Sequence, residues 1–264
     1  MGVKEIKTYF KLHKEYIKIE VKTAIEYKIN FFVQVISMFI SNISWVLFWA
    51  IFFTRFPNIN GWTITDIILL YAVVCTSFGF AGLIFGGHKY ISNNIVDGKL
   101  DYFLTNPKKP LYHILISKIS WYDLGDWLFG MIFAFMFLPI IKIPLFFALI
   151  IPATIIIVSF GVIAESFSFY IGNSQSISDS LYSALIAFSL YPSTIYSGIT
   201  KFILLFIIPA GFVSGIPVTI LNSFNWIWFI LLYAFAIAIL LIAIYVFYKG
   251  LKKYESGNLI GIRL

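Results

Sequence analysis

The sequence predicts an all-α protein that crosses a membrane several times. Of its 264 residues, 60% are hydrophobic and 12% are charged, and soluble domains carry about 25% charged residues. The apolar residues form unbroken blocks close to the ~20 residues that a spanning helix needs. Strands of a membrane barrel would instead alternate over about 10 residues. The composition therefore excludes a water-soluble domain, and the block length favours helices over a barrel.

Seven apolar blocks follow one another along the chain. Their approximate ranges are 29–54, 64–87, 117–138, 143–170, 180–198, 202–221 and 224–248. Seven crossings would put the two termini on opposite sides of the membrane, yet both termini are rich in lysine. Lysine and arginine collect in cytoplasmic loops, so one block is expected to enter and leave through the same face.

The basic residues indicate the orientation. The net charge of +7 is confined mostly to three regions, so it reports membrane topology rather than nucleic-acid binding. Of the 19 basic residues, seven lie in 1–28, five in 88–118 and four in 249–264, and Arg55, Lys142 and Lys201 remain for the outer ends. The first amphipathic segment (1–28), the loop at 88–116 and the tail (249–264) are therefore expected to be cytoplasmic.

Residues 201–221 are predicted to be re-entrant. Proline and glycine interrupt this block, and broken backbone is tolerated at membrane depth only where protein or a cavity surrounds it. The interrupting residues are Pro209, Gly211, Gly215 and Pro217. We expect two short helices that dip in from outside and could form the outer lid of a pathway. This leaves six spans in a single domain, residues 1–264.

The N-terminal segment predicts an amphipathic helix on the membrane surface. Lysines recur at positions 4, 7, 11, 14, 18 and 22, a spacing that forms one helical stripe. A second, apolar stripe contains Val3, Ile6, Phe10, Ile17, Val21 and Ala24. Such a helix lies in the interface with lysines at headgroup level; the alternative is a charged helix in water. A further face of Tyr9, Leu12, Tyr16 and Ile19 suggests contact with protein.

The loop at 88–116, which we call the insert, has local signals of folded structure. Ser92-Asn93-Asn94 can cap a short helix, Asp97-Gly98 can form a turn, and Asn106-Pro107 marks a stop. Between turn and stop, apolar residues fall at helical spacing: Leu100, Phe103 and Leu104. That apolar face needs lipid or another subunit to cover it, unless the insert is an ordinary connector in water.

Several of these segments carry a family resemblance. The pattern DGKLDYFLTNPKKPL after two spans resembles the intracellular loop of the type-2 ATP-binding-cassette exporter permeases. The lysine-rich first helix, the six-span count, the proline-broken stretch YPSTIYSGITKFILLFIIPAGFVSGIP and the YKGLKKYESG tail are similar too. The whole chain is similar to the stand-alone permease subunits of that family.

The resemblance implies a function for the insert. It would be a coupling helix that docks on a separate cassette ATPase, through Asp97, Gly98, Lys99, Leu100, Asp101, Phe103 and Leu104. Leu100, Phe103 and Leu104 would form an apolar plug, with Lys99 and Asp101 as rim contacts. The resemblance further implies a prokaryotic cell membrane, export, and pairing with a second copy or a sister permease.

No ATP site is recognisable in the sequence. The nearest lookalike, GLIFGGHKY at 82–90, has His88 before its lysine and no serine or threonine after it. ATP and magnesium are therefore expected on the partner ATPase, with no cofactor, metal or catalytic residue in this chain. The 52 aromatic residues, 29 Phe, 16 Tyr and 7 Trp, suit an amphiphilic, drug-like or lipid-like cargo, and they also suit lipid contact.

Three acids in apolar surroundings are candidates for a pathway or gate. They are Asp123, Asp126 and Glu165, because a charge in the membrane is costly and marks function by default. For the aspartates the alternative is a structural role at a helix start near Lys118. Glu165 is expected either to line a wet vestibule or to bond a neighbouring span.

Two other function classes stay open from the residues alone. An ion-coupled secondary transporter or channel would usually show two related halves with matching broken helices, whereas one broken segment is present. A membrane-embedded enzyme would need a second cluster of ligands or catalytic groups beside the three acids.

Overall fold

The computed structural model describes the backbone of residues 3–255 and the side chains of residues 7–255. Over that range the chain is helical and contains no strand, only an isolated bridge between Ile59 and Trp62. The predicted all-α class is therefore confirmed. The predictions for Val3, Lys4 and Ile6 side chains, and for the tail after Glu255, lie outside the described residues.

The first half of the chain contains an N-terminal helix, two long apolar helices and three short helices. They are α1 (Val3–Glu26), α2 (Lys28–Arg55), α3 (Ile64–Phe85), α4 (Ile91–Val96), α5 (Leu100–Thr105) and α6 (Pro110–Ile116). The second half contains α7 (Tyr122–Phe137), α8 (Ile143–Glu165), α9 (Ser168–Ile171), α10 (Gln175–Ser189), α11 (Gly198–Phe206), α12 (Ala210–Val213), α13 (Gly215–Asn222) and α14 (Trp226–Leu251). Short 3-10 turns occupy Gly86–Lys89, Ile140–Lys142 and Ser193–Ile195.

Four segments are long and apolar enough to cross a membrane. They are Lys28–Arg55, Ile64–Val96, Ile140–Ile171 and Trp226–Leu251. The pair formed by Gly198–Phe206 and Ala210–Asn222 makes a fifth if it counts as one span, but it is bent by 63°. Helices α7 and α10 have 16 and 15 residues, short of the ~20 that span a bilayer. The count of six crossings thus stays a prediction.

Helices α3 and α8 form the centre of the bundle. Most of α3 from Ile67 to Gly82 is buried, because α2, α7 and α8 pack around it. Glycine permits the closest of these contacts: a Cβ on Gly79 would lie 2.6 Å from the Cβ of Trp127 on α7. Small residues at helix crossings let backbones approach in this way inside membranes. The core is therefore fixed by close backbone contact between α3 and α7.

Helices α2 and α14 form the periphery. Only 11% and 22% of their most apolar windows are buried within the chain, and their exposed side chains include Ile36, Phe48, Ile237 and Leu241. Such continuous apolar surface requires an apolar surrounding. These two helices therefore have the surface expected of lipid-facing helices.

The broken segment lies at the end of α3 opposite the insert. Asn222 at the end of α13 donates a hydrogen bond to Asp66 in the first turn of α3, while the insert follows the last turn of α3. The expected break occurs at Ile207–Pro209, and a second break at Ser214 separates α12 from α13. The two predicted helices correspond to Gly198–Phe206 and Ala210–Asn222, and Ser214 interrupts the second of them between α12 and α13.

Candidate functional site

The insert folds into short helices joined by the predicted turns. Gly98, with φ of +68°, joins α4 to α5, a left-handed conformation that favours glycine. Asn106 is extended before Pro107 and ends α5. The predicted cap is wrong, because Ser92, Asn93 and Asn94 lie inside α4. The residues at the two turns, Gly98 and Asn106, therefore determine where α5 begins and ends, whereas no local signal determines where α4 begins.

Glu165 supplies the missing contact at the start of α4. Its carboxylate accepts the Ser92 backbone N–H at 2.8 Å, and the Ser92 hydroxyl contacts the Ser168 hydroxyl. A carboxylate that contacts the first turn of a helix stabilises it, because the backbone N–H groups there have no partner within the helix. Glu165 is 4% exposed, so it anchors the insert to the end of α8.

Helix α5 turns its main apolar side chains inward. Leu100 is fully buried and Phe103 is 7% exposed, and the Phe103 ring lies 5.0 Å from that of His113 on α6. Both residues therefore hold α5 on its own chain and cannot plug a partner's groove, which corrects that part of the prediction. Leu104 and Tyr102 are 40% and 59% exposed, although the Tyr102 ring also lies 5.9 Å from that of His113.

The outward face of the insert is mixed in polarity. It contains Asp97, Lys99, Tyr102, Leu104 and Thr105. Lys99 Nζ and an Asp97 carboxylate oxygen are 2.7 Å apart. We call these five residues the outer face of the insert. Tyr102 was not among the predicted site residues, and no spacing signal indicated it, because Tyr102 and Leu104 are two residues apart and do not share a helix face.

Helix α1 packs on the insert through its tyrosine face. The Tyr9 hydroxyl accepts the Lys109 N–H at 2.9 Å, and the Tyr9 ring meets Tyr112 edge-on at 4.8 Å. The Tyr16 hydroxyl and His113 Nε2 are 2.6 Å apart. The suggested contact of α1 with protein is thus present, although Ile19, at 58% exposed, does not take part.

The contact between α1 and α6 is expected to weaken in acid. Burial lowers the pKa of His13, and burial together with nearby Lys108 lowers the pKa of His113. The unfolded chain, with an ordinary histidine pKa near 6.5, then binds more protons than the folded contact. Stability is therefore full above pH ~6.5 and declines as the pH falls toward the folded pKa values. Hydrogen exchange of residues 110–116, corrected for intrinsic rates, should rise from pH 7.5 to 5.5.

The matched control for this acid effect removes both titrating groups. A His13→Gln/His113→Gln chain should exchange at the same corrected rate at both pH values. If its exchange rises in acid as much as in the parent chain, the two histidines are not the cause.

A polar cluster lies between the insert and α7. Lys89 Nζ is 2.7 Å from an Asp123 carboxylate oxygen, and Asn42 on α2 donates to Asp126 Oδ1 at 2.7 Å. Lys89 also lies over the Tyr182 ring of α10 at 5.3 Å. Asp123 is thus paired with Lys89 and not with Lys118, which is close in sequence only.

The polar cluster is fitted closely to α3. A Cβ on Gly82 would fall inside the Asp123 carboxylate, so only glycine leaves room for the ion pair. A cavity of about 230 Å³ lies beside it, lined by His88, Lys89, Glu165, Asp179 and Tyr182 among others. Glu165 therefore both bonds the insert and lines a polar cavity.

The predicted pathway residues fall into two separate groups. Asp123, Asp126 and Glu165 lie near the insert, whereas Pro209, Gly211, Gly215 and Pro217 are buried at the other end of the bundle. Within the described residues, no three His, Cys, Asp or Glu side chains could together hold a metal ion.

A similarity to a known protein family covers most of the chain. The family model described as "ABC-2 family transporter protein" matches residues 21–258. No curated protein and no solved structure matches the chain. The matched range contains α2 to α14, the insert and the polar cluster.

Proposed function

Because the chain belongs to the ABC-2 transporter family, we propose that it is the permease of an exporter driven by a separate cassette ATPase. The family and the long apolar helices identify it as a membrane subunit of a transporter. Such subunits normally bind no ATP themselves, so ATP and magnesium belong to the partner. The proposed cargo is amphiphilic, drug-like or lipid-like, in keeping with the 52 aromatic residues, 29 Phe, 16 Tyr and 7 Trp.

The proposed orientation places the insert and both termini in the cytoplasm of a prokaryotic cell. Three lysine-rich regions support it, since Lys and Arg collect on that side. Helices α7 and α10 complete six crossings, with α11–α13 re-entrant from outside. On α1, the apolar side chains of Phe10, Ile17 and Val21 are exposed. Lys11 and Lys14, which belong to the lysine stripe of the same helix, are exposed as well. That pattern supports a helix lying in the interface.

The proposed coupling rests on one observation: the insert is held to the bundle at several points. Glu165 fixes α4, Leu100 and Phe103 fix α5, and Tyr9 and Tyr16 fix α6 through α1. Close-packed elements move as units rather than deforming. An ATPase that pushes on the outer face of the insert would therefore move α3, α7 and α8 with it.

The proposed docking surface is the outer face of the insert, with Tyr102 and Leu104 as its apolar centre. Asp97 and Lys99 on that face, with the partly exposed Asp101 next to Tyr102 in sequence, would form the polar edge, since interfaces are commonly apolar in the middle and polar at the edge. Buried tyrosines are frequent hot spots of binding. Leu100 and Phe103 serve the same surface indirectly, by holding α5 in place.

Changing the apolar centre should abolish the complex with the ATPase. For a Tyr102→Asp/Leu104→Asp permease we expect the affinity for its cognate ATPase to fall by at least about 30-fold, since hot-spot losses reach 2 kcal/mol or more. Co-purification and a binding titration measure this.

An Ile19→Asp permease is the control, because Ile19 is exposed on α1 away from the insert contact. It should bind as the parent does, and circular dichroism should show that both variants are folded at the temperature of the binding titration. A docking variant that is folded and still binds normally would overturn the assignment.

The proposed pathway lies between two permease subunits, identical or related. Helix α10 supports this, because it exposes a polar stripe of Ser176, Asp179, Ser180 and Ser183. Lipid tails do not solvate such groups, so polar residues in membrane helices face protein or water. A second subunit or a wet pathway would cover the stripe.

A further inference from the structure

A groove of about 830 Å³ lies where the insert, α1 and the end of α14 meet. Ligand sites commonly have volumes of about 300–1,000 Å³. Lys108 and Lys109 belong to its lining, and so do Tyr9, Tyr112 and Tyr248. We call it the basic groove. Neither the docking surface nor the polar cluster uses it.

The basic groove has an apolar part that continues into the lipid-facing surface. Leu240 and Ile244 line it, and each is 37% exposed. Together with Tyr248 they form a column spaced four residues apart, one helical turn per step. This column leads from the apolar middle of α14 toward the insert. A ligand lying along it would have to be apolar over that length.

The polar part of the basic groove suits an anion. Among the described residues its lining contains two lysines and no carboxylate. Lys108 Nζ lies 5.3 Å from the centre of the Tyr9 ring, and the Lys109 backbone N–H donates to the Tyr9 hydroxyl. These contacts fix the start of α6. The backbone that carries both lysines is therefore held in place by Tyr9.

We propose that the basic groove binds one anionic phospholipid from the leaflet on the insert side. The phosphate lies between Lys108 and Lys109, and one acyl chain lies along Leu240 and Ile244. Tyrosines and lysines at headgroup depth are typical of lipid contacts. A soluble anion would leave the apolar column uncovered. The inference needs only that the chain lies in a membrane, and it does not depend on export or on the ATPase.

A titration of the detergent-solubilised full chain tests the proposal. Short-chain phosphatidylglycerol should bind saturably and raise the melting temperature, and phosphatidylcholine and inorganic phosphate should have much smaller effects. In Lys108→Gln/Lys109→Gln the affinity for phosphatidylglycerol should fall about 25-fold, because a lysine near an anionic surface contributes about fivefold. Lys11→Gln/Lys14→Gln loses the same charge on the outer side of α1 and should bind as the parent does.

A second pair of variants tests the apolar column without a change of charge. Ile244→Trp fills the basic groove and should abolish saturable binding, whereas Ile242→Trp, on an exposed part of α14 outside the groove, should not. The proposal fails if Lys11→Gln/Lys14→Gln weakens binding equally, or if phosphate protects as well as the lipid. It also fails if Lys108→Gln/Lys109→Gln loses the ATPase but keeps the lipid, since the groove then serves a protein partner.

Discussion

Replacing Lys89 with methionine is expected to destabilise the protein by about 3–5 kcal/mol, the usual cost of removing one partner from a buried ion pair. Asp123 is 5% exposed at its side chain, and Lys89 is 28% exposed and 2.7 Å from it. Without Lys89 the Asp123 carboxylate would remain in apolar surroundings with no counter-ion, which lowers the free energy of unfolding. Denaturant unfolding in detergent measures this loss.

The control for Lys89→Met is Lys118→Met. Lys118 is nearer to Asp123 in sequence but is exposed, and exposed charges contribute about 1 kcal/mol or less. A double variant, Lys89→Met/Asp123→Asn, should recover much of the loss, because neither charge then remains unpaired. Equal effects of Lys89→Met and Lys118→Met would contradict the pairing.

The comparison of Lys89 with Lys118 shows where sequence reasoning ends. Lys118 is five residues from Asp123, and the pattern suggested it as a neighbour. The actual partner is 34 residues away, in the 3-10 turn Gly86–Lys89 that follows α3. Sequence spacing predicts neighbours within one helix, but it carries no information on which helices meet.

The anchors of the insert were unpredictable for the same reason. The Glu165 contact joins residues 73 apart and the Tyr9 contact joins residues 100 apart. The turn at Gly98 and the stop at Asn106 were predicted, because glycine and the residue before proline restrict their own backbone. Local chemistry thus placed α5 in the chain, and tertiary contacts decided what α5 touches.

Helix positions were predicted from apolar runs, and helix ends were not. The block at 180–198 corresponds to α10, which begins earlier at Gln175 and ends at Ser189, before Pro192. The serine-rich start is polar, yet Ser178 is buried and donates to the Ala164 carbonyl. A hydropathy pattern does not predict this first turn of α10, because its polar groups form hydrogen bonds inside the bundle.

Replacing Leu100 with alanine is expected to cost about 2–5 kcal/mol, since it leaves a cavity beneath a fully buried side chain. Helix α5 has six residues, too few to be stable without tertiary contacts, so the loss should loosen α5 locally. Hydrogen exchange of residues 100–105 should rise strongly. Leu104→Ala, the same change on the outer face of α5, should cost far less and leave exchange near the parent's.

The same pair of variants distinguishes the fixing of α5 to the bundle from the docking of the ATPase on the outer face of the insert. If α5 transmits force only while it is fixed to the bundle, Leu100→Ala should let ATP hydrolysis by the partner continue with little transport. Leu104→Ala should instead weaken binding of the ATPase, because Leu104 belongs to the outer face. Both activities are measured in vesicles containing the complex and a fluorescent amphiphile that the parent complex exports. If Leu100→Ala loosens α5 and transport stays tightly linked to hydrolysis, a rigid insert is not what couples the two.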